Sequence, residues 1–461
     1  MTAIPAIPVP VSIPELTGPP LWPASAVAAP GGDVAVAGVP LAELAGRYGT
    51  PVQVVDEGEV RARARAWRRA LPDAEVVYAA EAFLCRAMVD WMAEEGLGLA
   101  VRSAAELELA ASRGFPVDRI VLHGHAKSPR DLRTASRLGV GRIVIESAGE
   151  IARLASRVPG PDPQQVLIRV VPGGVSATGA VSGAGTVSEA GPGGRRGGRT
   201  VGGDRGFGLS IAASEAEEAV ARILGQPGLE LVGLHCRPGS RLTAPEPHAA
   251  AVRHLVAFLA RIRDRFGIAL PEVVLGGDPA VPGLPGAPAP APAAYARRTR
   301  DALLRHCAEA DFPLPRLTAQ PGRSLVAPAG VALHRVLAVR RSPGARTLVA
   351  VDGGTGDGRT RYAVRLIGRP SAAPMRATTV VGPYDDPDGP GGLLADGVEL
   401  PEDIRPGDLL AVPASGAYHL SGSSAREPAG RPPVIAVADG RSRLLVRRET
   451  PEFHRARDIG L

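Results

Sequence analysis

The residues best placed for chemistry are a glutamate, Glu81, inside the run Val77-Tyr78-Ala79-Ala80-Glu81-Ala82-Phe83, and three histidines, His123, His125 and His235, at or just beyond the ends of apolar β-branched runs. A carboxylate desolvated at a strand end acts as a general base; beside an arginine such as Arg102 it becomes a structural ion pair, and that second reading is preferred. The histidines lack the carboxylate or thiolate spacing of a metal site, so no metal is expected. Cys236 follows His235 directly, and neighbouring strand residues point to opposite faces, which argues against a Cys–His dyad. Lys127 is the single lysine among 53 Lys and Arg residues. In the loop or early helix after the third strand, it reads as structural.

Short β-branched runs alternate with amphipathic helical stretches from residue 75 onward. Eight strands are expected at Glu75–Ala79, Gly98–Val101, Ile120–His123, Arg142–Ile145, Val166–Val170, Leu229–His235, Val273–Gly276 and Arg316–Ala319. Helical patterns follow at Ala82–Glu95, Ala104–Arg113, Ser128–Leu138, Gly149–Arg157, Ser214–Leu224 and Glu246–Phe266. Repeated β-then-α units predict an α/β fold of the (β/α)8 TIM-barrel type, spanning 51–325. An open doubly wound sheet would carry a glycine fingerprint after its first strand, and none is present. Beyond it, apolar runs at Val331–Val339, Thr347–Val351, Thr378–Val381, Asp408–Val412, Val434–Val437 and Leu444–Val446 predict a C-terminal all-β domain, 326–461.

Residues 1–30 are Pro/Ala-rich and read as a disordered tail; 31–50, with Asp33–Pro40, reads as a segment donating a strand to the β-domain. A Gly-rich insertion at 173–206 and a Pro/Ala-rich loop at 279–294 fall where barrel active-site loops belong. Net charge is +6, but arginines are interleaved with acids and aromatics make up only 3%, so stacking platforms are scarce and nucleic acid is not expected as a partner. Three cysteines without paired spacing fit a reducing cytoplasm, and no apolar run long enough to span a membrane occurs.

The segments Val77–Phe83, His123-Gly-His-Ala-Lys-Ser128, Gly233-Leu-His-Cys-Arg-Pro-Gly-Ser240, Gln320-Pro-Gly-Arg-Ser324, Val351-Asp-Gly-Gly354 and Gly407–Tyr418 resemble bacterial diaminopimelate decarboxylase, in order, from about residue 35 to the C-terminus. The resemblance implies a pyridoxal-phosphate barrel with a C-terminal β-domain, usually dimeric, decarboxylating meso-diaminopimelate to lysine. It assigns Ser240, Gly276, Gly277 and Arg323 to holding or framing the cofactor phosphate, and Tyr418 to a cofactor contact. Read alone, a Gly-Gly pair after a strand is more often a plain turn.

Against the same resemblance, the chemistry-bearing positions have changed. Glu81 stands where the Schiff-base lysine belongs, and a carboxylate cannot form that bond. A general preference for arginine explains missing surface lysines but not a glutamate there. Arg237 replaces the histidine that packs on the pyridine ring; Gln320 replaces the carboxylate that pairs with the ring nitrogen. Asp278 replaces the third glycine of the phosphate loop, placing negative charge near an anion site. The Cys-Glu-Ser-Gly-Asp motif is degraded to Tyr384-Asp-Asp-Pro-Asp388, with Asp385 among its altered positions, and a later cofactor-contacting tyrosine aligns with Arg426. The expectation is a pseudoenzyme with no covalently held cofactor, forming a homodimer or a heterodimer with an active homologue. The alternatives are an enzyme binding a phosphorylated small molecule with Glu81 as base, or a retained pyridoxal-phosphate-dependent amino-acid decarboxylase of lysine biosynthesis.

Overall fold

The computed structural model describes residues 21–156, 162–172, 207–285, 291–342, 346–354, 362–383, 392–422, 430–457 and 459. The insertion at 173–206, part of the loop at 279–294, the Tyr384–Asp388 motif with Asp385, and Arg426 lie outside the described residues.

Eight parallel strands close on themselves: β1 (Glu75–Ala79), β2 (Gly98–Val101), β3 (Ile120–Leu122), β4 (Arg142–Ile145), β5 (Gln164–Val171), β6 (Leu229–Cys236), β7 (Glu272–Leu275) and β8 (Arg316–Ala319), with β8 pairing back to β1. The expected strands thus appear, displaced by at most two residues at an end. Side chains alternate in and out along each strand, so inward residues fall into layers. The middle layer is apolar: Val77, Ala100, Val121, Val144, Leu167, Val232 and Val274 form their own buried cluster. Two residues earlier the chain places Glu75, Arg142 and Glu272, a charged layer toward the N-terminal face. Two residues later it places Ala79, His123, Arg169 and Gly276 at the C-terminal mouth. The outward faces pack against the helices, which begin on side-chain caps such as Ser103, Ser128 and Ser147.

The first barrel helix starts later than its periodicity predicts. It runs Arg86–Glu94 rather than from Ala82, after a 3₁₀ turn at Ala80–Ala82. Tertiary bonds hold the intervening carbonyls: the Tyr78 hydroxyl donates to Phe83 O at 2.7 Å, and Tyr418 N donates to Ala82 O at 2.7 Å. Those acceptors are lost to a helical ladder, so an irregular stretch carries Glu81. Helices Glu57–Ala70 and Pro292–Glu309 complete the shell, the latter beginning inside the stretch expected to be loop.

The second domain is a β-sheet structure around Gly330–Arg340, which pairs with Thr347–Val351, Leu409–Pro413 and Val52–Asp56. Val52–Asp56 also pairs with Val434–Ala438, so it is this strand, not Asp33–Pro40, that the N-terminal region contributes to the domain's sheet. Its sequence, Val-Gln-Val-Val-Asp, is a buried strand pattern hidden by position, lying between the tail and the barrel. Asp33–Val36 instead forms a small sheet with Val27–Ala29 and Val39–Pro40. That sheet packs on the β-domain core through Val34 and Val36, beside Trp22, so residues 21–30 of the expected tail are ordered. One buried indole outweighs a Pro/Ala-rich context.

Candidate active site at the barrel mouth

Inward alternation delivers Ala79, His123, Arg169, Gly276 and Gln320 to one cavity, and a register shift between Leu231 and Gly233 in β6 brings His235 there too, joined by Glu81, Arg237, Gly277, Asp278, Gly322 and Tyr418. Its volume is about 30 Å³. That is about one water molecule's share of the liquid, against roughly 300 Å³ for the smaller ligand pockets. A wider cleft of about 360 Å³ opens beside it, lined by Glu81, Arg237, Ser240, Arg241, Asp278, Arg323 and Tyr418.

Glu81 is gripped from three sides. Arg102 Nη1 lies 3.2 Å from Oε2, Arg237 Nη1 lies 3.4 Å from Oε1, and the Tyr418 hydroxyl donates to Oε1 at 3.0 Å. The β-domain stitches this turn down again, through the Ser421 hydroxyl donating to Glu81 O at 2.8 Å. Burial alone would raise the carboxyl pKa, but the Arg237 guanidinium, helped by Arg102 and the Tyr418 hydroxyl, holds it at about 2. Arg237 and Arg102 thus make Glu81 a fixed anion at neutral pH, and a poor base.

His123 and His235 are neutral. Burial lowers His123 to about 3, and His235 falls well below its ordinary value for the same reason. His235 Nε2–H donates to the Gln320 amide oxygen at 3.0 Å. His123 Nε2, His235 Nδ1 and Gln320 Nε2 are buried without a hydrogen-bond partner. Among the described residues no cluster of three or more His, Cys, Asp or Glu could hold a metal ion.

Gly276, Gly277 and Asp278 follow β7 as a turn that only glycine permits at its centre. Gly277 has φ +91°, and a Cβ there would meet Gly239 O at 2.3 Å. Behind the turn, His248 Nε2–H donates to Gly276 O at 3.1 Å, while the Tyr295 hydroxyl bonds to His248 Nδ1. Burial lowers His248 to about 4, so it is neutral and can donate at one nitrogen while accepting at the other. In front, the Asp278 carboxylate accepts from the backbone N–H of Gly322 at 2.7 Å and of Ser324 at 2.9 Å. The Arg323 guanidinium stacks over the Tyr418 ring at 4.6 Å. Ser240 is exposed at the rim of the wider cleft.

The structure therefore gathers Glu81, Arg237, Gln320, Gly276, Gly277, Arg323 and Tyr418 at one mouth, with Ser240 at its edge. Lys127 is elsewhere: its Nζ donates to Gly124 O at 2.9 Å and lies 3.3 Å from Glu150, all buried. Sequence reading missed Arg169, whose Nη1 donates to Glu146 at 2.7 Å, and the His248–Tyr295 support. A charge inside the apolar run Val166–Val170 was the available signal, since arginine is rarely buried unless paired.

The family model described as "Pyridoxal-dependent decarboxylase, pyridoxal binding domain" matches residues 57–327. A diaminopimelate decarboxylase of Actinosynnema pretiosum subsp. auranticum is 46% identical over 93% of this chain and 93% of its own. That of Mycobacterium tuberculosis is 36% identical over 94% of this chain and 96% of its own. The fold matches diaminopimelate decarboxylase from M. jannaschii in complex with L-lysine, with a TM-score of 0.82 at 22% identity, covering 95% of this chain and 98% of that one. A closed parallel barrel, a separate β-domain and this extent of identity together place the chain in the diaminopimelate decarboxylase family of pyridoxal-dependent decarboxylases.

Proposed function

We propose that this protein has lost pyridoxal-phosphate catalysis and acts by binding, as a homodimer or as the partner of an active homologue. The observation that carries the reading is Glu81, a carboxylate locked between Arg102, Arg237 and Tyr418 at the position that the family resemblance gives to the cofactor-bonding amine. The chain's one lysine, in the loop after β3, is committed to Glu150 in the first turn of the helix Ala148–Ala155. An amide, Gln320, bonded to His235, stands where a carboxylate would hold a protonated ring nitrogen. The residues present do not fit pyridoxal phosphate held in the family's manner. Bond formation, charge stabilisation and proton transfer each supply several kcal/mol of barrier lowering, so their joint loss is not offset by the surviving scaffold.

A second reading, an enzyme using Glu81 as base on a phosphorylated ligand, draws support from the arginine-lined cleft of about 360 Å³. A carboxyl held at about 2 opposes it, because a general base works best with a pKa near the operating pH. Retained amino-acid decarboxylation has the family match and the extent of identity to the relatives in its favour, and the residues at 81, 237 and 320 against it.

The test is reduction with borohydride of the purified full-length protein in pyridoxal phosphate, followed by mass measurement and peptide mapping, with CO2 release from meso-diaminopimelate assayed in parallel. No specific adduct and no release are expected. An adduct mapped to Lys127, together with turnover, sinks the proposal.

A further inference from the structure

Asp278 has more contacts than a turn residue requires. Its Oδ2 takes two converging backbone N–H groups, those of Gly322 and Ser324, at 2.7 and 2.9 Å. Its Oδ1 is buried without a partner. Two amides aimed at one point, with Arg323 between them in sequence, form a seat for an oxyanion. The loops around it are pinned: Leu242 N donates to Asp278 O at 3.0 Å, Ala280 N donates to Leu242 O at 2.8 Å, and Gly277 lies tight against Gly239. The carboxylate thus comes from one strand-end loop and its donors from the next, and the bond ties β7 to β8.

We propose that Asp278 is the resident anion of this seat, supplied by the chain itself, and that it excludes a phosphorylated ligand from the barrel mouth. A tethered carboxylate competes at an effective concentration of order millimolar or more, which a free ion must exceed to displace it. An incoming phosphate also meets like charge at the place where its own oxygens would sit. Burial raises the Asp278 pKa, and the Ser324 and Gly322 N–H groups, with the Arg323 guanidinium nearby, oppose that shift and favour the anion. The inference deepens the proposed loss of cofactor chemistry, naming what occupies the seat, and it stands on geometry that the borohydride test does not touch.

Calorimetric melting of the full-length protein in rising inorganic phosphate, against chloride at matched ionic strength, tests it. Wild type is expected to give no saturable rise. Asp278→Ala, which empties the seat, is expected to gain a saturable rise of about 1–2 °C at ten times its own Kd for phosphate. Asp278→Asn keeps the volume but removes the like charge, so its rise is expected to fall between those of wild type and Asp278→Ala. Saturable stabilisation of wild type, or none in a folded Asp278→Ala or Asp278→Gly protein, overturns the proposal. If neither small variant folds, the wild-type titration decides, since phosphate binding by the intact protein is the outcome excluded. A trapped pyridoxal adduct on a protein that ignores inorganic phosphate would sink the functional reading and leave this one standing.

Discussion

The two ends of the barrel are built from the same inward alternation and have opposite polar economies. At the N-terminal end Arg142 reaches both Glu75, at 2.6 Å, and Glu272, while Glu272 also takes Arg316 and the Thr318 hydroxyl, each at 2.9 Å. Every charge there has a partner of opposite sign. At the C-terminal mouth, three buried polar nitrogens and Asp278 Oδ1 have none, although Glu81 is over-supplied with cations. A closed network belongs to an end selected for stability; orphaned donors and acceptors belong to an end shaped for a ligand's atoms. The mouth retains the outline of a binding site, filled inward by the chain's own carboxylates at positions 81 and 278.

The largest effect is expected at the closed end. Replacing Arg142 by Met leaves Glu272 buried with its compensation reduced, at a cost of about 3–5 kcal/mol. Replacing Arg142 and Glu272 together by Met and Leu removes both charges and should recover most of that loss. Denaturant unfolding measures both, and a single variant as stable as the double would show that the network is not energetically coupled. Phosphate or pyridoxal responses at the mouth should be untouched by either.

A smaller effect, with a pH signature, is expected from Glu81→Gln. Glu81 titrates at about 2 in the folded chain against an ordinary 4.5, so its ionised form favours folding. That contribution, about 3 kcal/mol by linkage, is fully present above pH 4.5 and lost as pH falls through 2. The stability gap between wild type and Glu81→Gln should therefore be widest at neutral pH and narrow steadily below 4.5. A gap that does not change with acid would mean that Arg102 and Arg237 do not hold the carboxylate.

Much of this was legible before the structure, for identifiable reasons. Barrel strands are buried on both faces and read as compact β-branched runs, so Glu75–Ala79, Gly98–Val101 and Arg142–Ile145 were bounded to the residue. Glu81 with Arg102 was also readable, because a carboxylate two residues past a strand end has to meet a cation or give up its charge. Val52–Asp56 was not, since pairing with Gly330–Arg340 and Val434–Ala438 is nearly three hundred or more residues distant and leaves no local trace. The placement of Asp278 on Gly322 and Ser324 was half visible: its charge near an anion site could be read, but its occupation of the donors depends on two loops converging. His248 supporting Gly276 from a different helix had no sequence signal at all.

The smallest expected effect separates the two cations that share Glu81. The Arg102 side chain is 43% exposed and Arg237 28%, at similar distances from the carboxylate. Exposure lets water and salt screen the outer pair, so Arg102→Ala should cost less than about 1 kcal/mol and the cost should fade in high salt. Arg237 sits deeper and lines both the small cavity and the wider cleft, so its removal leaves Glu81 with one screened partner and a hydroxyl. Arg237→Ala should then cost more, resist salt, and raise the Glu81 pKa further than Arg102→Ala does, as read by carboxyl carbon chemical shifts across an acid titration. Equal shifts from the two variants would mean that the mouth is as open to solvent as the surface. In that case the contrast between the barrel's ends would reduce to which end happens to carry more charge.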